Sequence, residues 1–311
     1  MNTLIDAVKD YLSLRRRLGY KMADPGRWLL NFVSFLEREE ASHITTELAL
    51  QWAMQPAGAH PAHWAARLRA VRLFAEYHKG LDPQTEIPPH GLLPDRRHRP
   101  QPYIYKDSEI ASLIEEAKKL TSKTGLRSHT YSTLLGLLAV TGIRIGEALA
   151  LNRADVDLAD AILTIRQGKF NKTRLVPVHS STQEVLRGYD SLRDIAFPNP
   201  RVLSFFLSEA GSRLEISCVY KTFVNLSRRI GLRRPHDSHG PRFHDLRHSF
   251  AVRTVMEWYR AGMDVDSQMP KLSTYLGHAH VSDTYWYLSA VPELLCLAAE
   301  RLGHTQGGTQ P

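Results

Sequence analysis

Cysteine is almost missing from this chain: two occur in 311 residues, Cys218 and Cys296, far apart and in no CxxC pair. That usage argues against a disulfide framework or a cysteine zinc site and points to a reducing interior. Long apolar runs are missing too. The longest, Leu134 to Val140, is far too short to span a bilayer, so no membrane association is expected. The first residues, MNTLIDAVKD, reach Asp6 and Lys9 too early for a signal peptide. A soluble protein of the cytoplasm is the expectation. No internal repeat, low-complexity tract, Walker A motif or acidic metal cluster is present, and no cofactor or metal is expected.

What is present in excess is base. Forty Lys and Arg against 32 Asp and Glu leave a net charge of +8, within a composition (43% hydrophobic, 23% charged) ordinary for a globular protein. Such a balance suits a polyanionic partner bound with strong salt dependence, because phosphate contacts release condensed counterions. The length allows two domains, each with its own core.

Residues 1–90 read as helices throughout. Leu4, Val8, Tyr11 and Leu12 keep one face of a first helix, followed by Arg15, Arg16 and Arg17 and stopped by Gly19. Trp28, Phe32, Phe35 and Leu36 mark a second, and Thr46 is the expected N-cap of a third running to Met54. A fourth, from about His63 to Gly80, buries Trp64, Leu68, Val71 and Phe74 and carries Arg67, Arg69 and Arg72 as candidate DNA contacts. Six prolines then fall between Pro83 and Pro102, with the basic run Arg96-Arg97-His98-Arg99 among them. Proline at that density blocks helix and sheet alike, so an extended linker is expected, assigned to residues 91–102. Its Arg96, Arg97 and Arg99 suit a phosphate backbone.

A mixed domain follows over 103–302, with a flexible tail over 303–311. Helices are expected from Asp107 to Leu120 and from about Ser128 to Val140. A β-hairpin joins Ile162–Ile165 to Arg174–Val178 through a donor-rich tip that holds Lys169, Asn171 and Lys172. Ser181-Thr182-Gln183-Glu184 reads as a capping box, and helices dominate thereafter. The fold class expected is mainly α with a small antiparallel sheet, arranged as a two-domain clamp.

Four constellations carry chemistry. In Thr141-Gly142-Ile143-Arg144-Ile145-Gly146-Glu147, Arg144 and Glu147 share a helix face, so a carboxylate can aim a guanidinium for bidentate grip on phosphate. In His244-Asp245-Leu246-Arg247-His248, an imidazole and a permanent cation lie one turn apart. His244 and His248 have the spacing of zinc ligands, but the zinc-protease glutamate is absent, with Asp at 245. Leu276-Gly277-His278 precedes Ser282-Asp283-Thr284-Tyr285-Trp286-Tyr287, where Ser282 can cap a short helix and the two tyrosines face opposite ways. Lys169 stands at the hairpin tip, beside Lys172 and Arg174.

Taken singly these are an ion pair, core aromatics and a surface lysine. In their order and spacing they strongly resemble the tyrosine recombinase (phage integrase) family, over 103 to about 302. TGIRIGEAL is similar to its first-arginine box, GKFNKTRLVPV to its hairpin-lysine box, HDLRHSFA to its His-x-x-Arg box and LGHAHVSDTYWYL to its His…Tyr box. The helical first domain and linker resemble its core-binding domain. The resemblance implies that Arg144, Lys169, His244, Arg247 and His278 form the pocket, with Glu147 as orienting carboxylate. It implies Tyr287 as nucleophile, because Tyr287 stands nine residues past His278. Two departures stand out. Phe170 occupies a usual glycine position, which makes Lys172 a fallback for Lys169. The stretch between His244 and His278, with Trp258, Met263 and Met269, is about two helical turns longer than usual. Similar features occur in transposon-borne recombinases.

The activity implied is metal-free cutting and rejoining of DNA through a 3′-phosphotyrosine, in a bacterial, nucleoid-associated protein. The implied partners are double-stranded recombination sites, accessory recombinases, and further copies of the chain in a tetramer held by the helix from Pro292 to Leu302. Lys172 and Arg174 are further candidate DNA contacts. A type IB topoisomerase, a metal-dependent nuclease and a DNA-binding regulator without catalysis are the alternatives.

Overall fold

The computed structural model describes residues 3–95, 101–166, 173–237, 239–278 and 280–285. The chain divides into two compact units, Met1–Pro100 and Gln101–Pro311. The division falls within the proline-rich stretch.

Among the described residues the first unit is four helices. In α1 (Leu4–Arg17), Thr3 caps the amide of Asp6, and Ala7, Val8, Tyr11 and Leu12 form the buried stripe. Along α2 (Ala23–Arg38), Leu29, Phe32, Val33 and Leu36 recur at three- and four-residue spacing and are buried. The cap of α3 (Thr46–Met54) is Thr45 rather than the expected Thr46. Next, α4 (Pro61–His78) begins two residues before the apolar pattern indicates. His60 accepts from the Ala62 amide and Pro61 fills the first helical position, where a missing N–H costs nothing. Trp52, Phe32 and Phe74 are wholly buried at the centre. The first half of the proline-rich stretch is fastened to this unit rather than extended away from it. Arg72 donates to the Pro88 and Pro89 carbonyls at 2.6 and 2.7 Å, and the Glu86 carboxylate accepts from the Thr46 amide at 2.8 Å.

In the second unit, α5 (Asp107–Lys118) packs on α6 (Leu126–Thr141). Every residue of α6 from Thr130 to Leu135 is buried, as are Leu137, Leu138 and Ala139. A helix apolar on nearly all sides must lie inside, and α6 is the central element of this core. After α7 (Ile145–Ala150) and a 3₁₀ turn, β1 (Val156–Asp157), β2 (Ile162–Ile165) and β3 (Arg174–Pro177) form an antiparallel sheet in that order. Leu163 faces Val176 and Ile165 faces Arg174 in the β2–β3 register. Leu163, Ile165 and Val176 point into the core, while Leu175 points outward, 61% exposed. Then come α8 (Ser180–Ala196), α9 (Ile216–Arg229), α10 (Phe243–Arg260) and α11 (Val265–Leu276). The cap of α8 is His179, two residues ahead of the expected box at Ser181.

The longer stretch between His244 and His278 builds an apolar cluster of its own. Ala251, Val252 and Val255 of α10 meet Val265, Met269, Leu272 and Leu276 of α11. Met269 is fully buried and Trp258 partly so, whereas Met263 is exposed. This extension therefore sets the position of the end of α11.

Candidate active site

The site begins where α6 ends. Gly142 takes a left-handed φ of +61°, and a Cβ there would stand 2.6 Å from the Phe250 ring, so only glycine lets the chain turn beneath α10. Arg144 then sits at the N-cap of α7. Glu147, three residues on, reaches back to accept from the Arg144 amide at 2.9 Å and from its Nη1 at 2.7 Å.

The end of α11 supplies the other half. A helix leaves its last four carbonyls without intrahelical partners. Here Gly277, at φ +68°, reverses the chain, and the amides of His278 and Gly277 close on the carbonyls of Ser273 and Thr274. The next three carbonyls each receive an arginine from a different element. Tyr275 O accepts Arg174 Nε from β3 at 2.8 Å. Leu276 O accepts Arg247 Nη2 from α10 at 2.7 Å. Gly277 O accepts Arg144 Nη2 at 3.1 Å. Arg247 Nη1 also donates to Gly142 O at 2.9 Å, which ties the two glycine turns together. The negative end of the α11 dipole thus gathers three cations into one nest.

Glu147 is the carboxylate that two of those guanidiniums share. It accepts from Arg174 Nη1 and Nη2 at 3.1 and 2.8 Å as well as from Arg144. Burial alone would raise its pKa, but the Arg174 and Arg144 hydrogen bonds outweigh it and hold the value at about 2. Three guanidiniums thus gather around one glutamate, which pairs with Arg144 and Arg174.

Both candidate histidines face this nest. Desolvation, then the fields of Arg247 and Arg144, hold His278 down at about 3. The same causes, Arg247 ahead of Arg144, hold His244 at about 4, although its ring remains open to solvent. Both imidazoles are neutral at neutral pH. His278 Nδ1 shares a hydrogen bond of 2.7 Å with the hydroxyl of the buried Thr284, which fixes the ring. His244 and His248 stack edge to face at 4.5 Å. Between them in sequence, Asp245 accepts from the Arg242 amide, Nε and Nη2, so its carboxylate locks the start of α10. Among the described residues no group of three or more His, Cys, Asp or Glu is gathered closely enough to hold a metal ion.

The fold agrees with known proteins. The phage integrase family matches residues 104–293. An integrase/recombinase of Sinorhizobium fredii, y4rB, is 48% identical over 306 residues, 97% of this chain and 98% of its own. This chain belongs to the phage integrase family, the tyrosine recombinases. The same fold occurs in the Tn1549 transposon integrase in complex with circular intermediate DNA (TM-score 0.64, 16% identity, 95% of this chain and 99% of that one). It occurs again in a lambda integrase tetramer bound to a Holliday junction (TM-score 0.55, 17% identity, 90% and 78%). The protein is therefore an integrase/recombinase, a DNA strand-transferring enzyme.

Within this recombinase, Arg144, Glu147, Arg247, His244 and His278 lie together. Lys169, Lys172, Tyr287, Arg96, Arg97 and Arg99 lie outside the described residues. Tyr285 is exposed, and its hydroxyl donates to Asp266 at 3.2 Å. Three basic residues depart from the expected DNA-contact role. Arg174 is inside the nest, its side chain 11% exposed. Arg67 is buried against Trp52, with its guanidinium 3.8 Å from the ring centroid and Nη2 on the Trp52 carbonyl. Arg72 is buried under the proline stretch. Arg69, between them, is exposed. Sequence reasoning missed Thr284 and the role of Arg174. A basic residue paired across a strand to a buried one (Arg174 opposite Ile165) was the available signal for the latter. Among the described residues no helix is long and apolar enough to cross a membrane.

Proposed function

We propose that this recombinase cuts and rejoins DNA through a 3′-phosphotyrosine formed by Tyr287, with the arginine nest gripping the scissile phosphate. The observation that carries this reading is the capture of Arg144, Arg174 and Arg247 on three successive carbonyls at the end of α11. Nη1 and Nη2 of a guanidinium each carry two hydrogens, so a group that gives one to a carbonyl or to Glu147 can give the other to a non-bridging oxygen, the role this reading assigns to Arg144 and Arg247. As the Tyr287 oxygen bonds to phosphorus, the bond to the 5′-oxygen breaks and negative charge grows on the equatorial oxygens. Preorganised donors stabilise that charge.

The phenol proton passes to His244, which its environment keeps neutral and able to accept. Lys169 gives a proton to the departing 5′-oxygen. His278, whose Nδ1 shares a hydrogen bond with the Thr284 hydroxyl, hydrogen-bonds the scissile phosphate. The 5′-hydroxyl of a partner strand then attacks the phosphotyrosine, restoring the phosphodiester and the free tyrosine. Tyr285 is assigned no part, since its hydroxyl already serves Asp266. Around this chemistry, the first unit and the basic linker clamp the duplex through phosphate contacts from Arg69, Arg96, Arg97 and Arg99. Lys172 adds another from the hairpin tip. Four copies act on two sites, joined by residues 292–302. Such an enzyme works at the nucleoid.

The test is to incubate the full chain with a library of nicked duplexes of randomised sequence and isolate covalent adducts under denaturing conditions. Wild type and Tyr285→Phe should yield the adduct and Tyr287→Phe none. Loss in Tyr285→Phe with retention in Tyr287→Phe would overturn the assignment. Relaxation of supercoiled DNA by a monomer, without site preference, would favour the topoisomerase reading.

A further inference from the structure

The geometry points to Arg174 as a positioning residue that locks the first-arginine turn to the His278 turn. Without touching DNA, it sets where Arg144 and His278 stand. The inference rests on the active-site reading above and deepens it.

Arg174 spends its whole fork inside the protein. Nη1 and Nη2 both reach Glu147, one to each carboxylate oxygen, and Nε reaches Tyr275 O. A bidentate pair fixes direction as well as distance. Glu147, so held, uses the same two oxygens to fix the Arg144 amide and Nη1. The other end of the fork pins the last turn of α11, one residue before Leu276 O takes Arg247 and two before Gly277 O takes Arg144. A residue larger than glycine at position 277 would be strained at φ +68° and would push on the Arg174 guanidinium. A Cβ on Gly277 would lie 2.8 Å from Arg174 Nη1 and 3.0 Å from its Cζ. Arg174 is also the first residue of β3, the strand that leaves the hairpin tip, so one side chain joins that strand to α7 and α11.

A lysine could keep the charge, but it offers no planar fork and cannot hold Glu147 and Tyr275 O together in this geometry. The alternative is the direct one, in which Arg174 grips a DNA phosphate. The two differ in what its loss should do. A positioning residue affects the rate of the chemical step at saturating DNA. A phosphate contact affects affinity and its salt dependence.

The experiment compares wild type, Arg174→Met, Arg174→Lys and Gly277→Ala as full chains. Without DNA, hydrogen exchange at the Gly277 and His278 amides should quicken at least tenfold in Arg174→Met and Gly277→Ala, with the middle of α6 unchanged. On the nicked duplex captured from the library, the saturated rate of adduct formation should fall about 10²-fold in Arg174→Met, the scale of a lost preorganised donor. The dissociation constant should stay within about twofold, and the salt slope should not change. Arg174→Lys should recover only part of the rate. Unchanged exchange would overturn the inference. So would a weakened dissociation constant with a shallower salt slope and an intact saturated rate. If wild type itself forms no adduct, the active-site reading falls, while the exchange measurement still decides the role of Arg174.

Discussion

On α4, Arg67 and Arg72 are each 8% exposed; around the end of α11, Arg247 is 1% exposed and the Arg174 side chain 11%. Both pairs bury guanidinium groups, and both use backbone carbonyls to do it. The surroundings differ. On α4 the partners are an indole face and the carbonyls of Trp52, Pro88 and Pro89, spread along the chain and serving to tie segments together. At α11 the partners are successive carbonyls at the negative end of one helix, so the charges are concentrated, and one glutamate is shared by two of them. Burying an arginine among dispersed neutral acceptors cements a fold. Crowding three at a helix terminus prepares a place for an anion.

The largest expected effect lies in the nest. Arg144→Ala should lower the saturated rate of adduct formation by about 10²–10³ with little change in folding, because the Arg144 side chain is 27% exposed and Arg174 still holds Glu147. A smaller effect, of another kind, is expected on α4. Arg72→Met should destabilise the first unit by about 1–3 kcal/mol by stranding the Pro88 and Pro89 carbonyls, and leave the salt dependence of DNA binding as it was. Exposed Arg69→Ala should do the reverse, shifting stability by less than about 0.5 kcal/mol while reducing the salt slope by about one. A shallower slope in Arg72→Met, without loss of stability, would erase the distinction between the two sets.

The smallest effect is one of pH. His278 and His244 have folded pKa values of about 3 and 4, below the ordinary 6.5, so between those limits the unfolded chain binds more protons. Their contribution to stability is complete above about pH 6.5 and declines as the pH falls towards the folded values. The solvent-open ring of His244 makes its share the lesser one. Glu147 adds a second loss only below about pH 4.5, because its folded value is near 2. Thermal melts of the DNA-free chain from pH 7.5 to 5 should show a decline that His278→Gln flattens. An unchanged slope in that variant would mean that His278 is not the neutral imidazole described here.

Much of this was legible in the sequence. Helix periodicity located α1 and α2, and alternation the β2–β3 hairpin, because burial on one face leaves a regular trace, whereas α6 showed as a continuous apolar run. The two-residue strand β1 left no such trace. Box order and spacing named Arg144, Glu147, His244, Arg247 and His278 before any geometry was known. What was not legible was direction. Nothing in the run Arg67–Arg72 says which guanidinium turns inward, since that depends on Trp52 and Pro88, distant in sequence. Arg174 looked like one more base on a donor-rich hairpin until the register set it against Glu147 and the α11 terminus. The helix ends shifted by one or two residues for a similar reason. His60 and His179 cap with ring nitrogens, the second of them two residues before the expected box at Ser181.

The central claim is that the nest grips the charge of one phosphate. The direct test replaces a non-bridging oxygen of the scissile phosphate by methyl, giving a neutral methylphosphonate, and compares wild type with Arg144→Ala on both substrates. The account predicts that the 10²–10³-fold penalty on natural DNA shrinks to less than about tenfold on the neutral substrate. An equal penalty on both would contradict it.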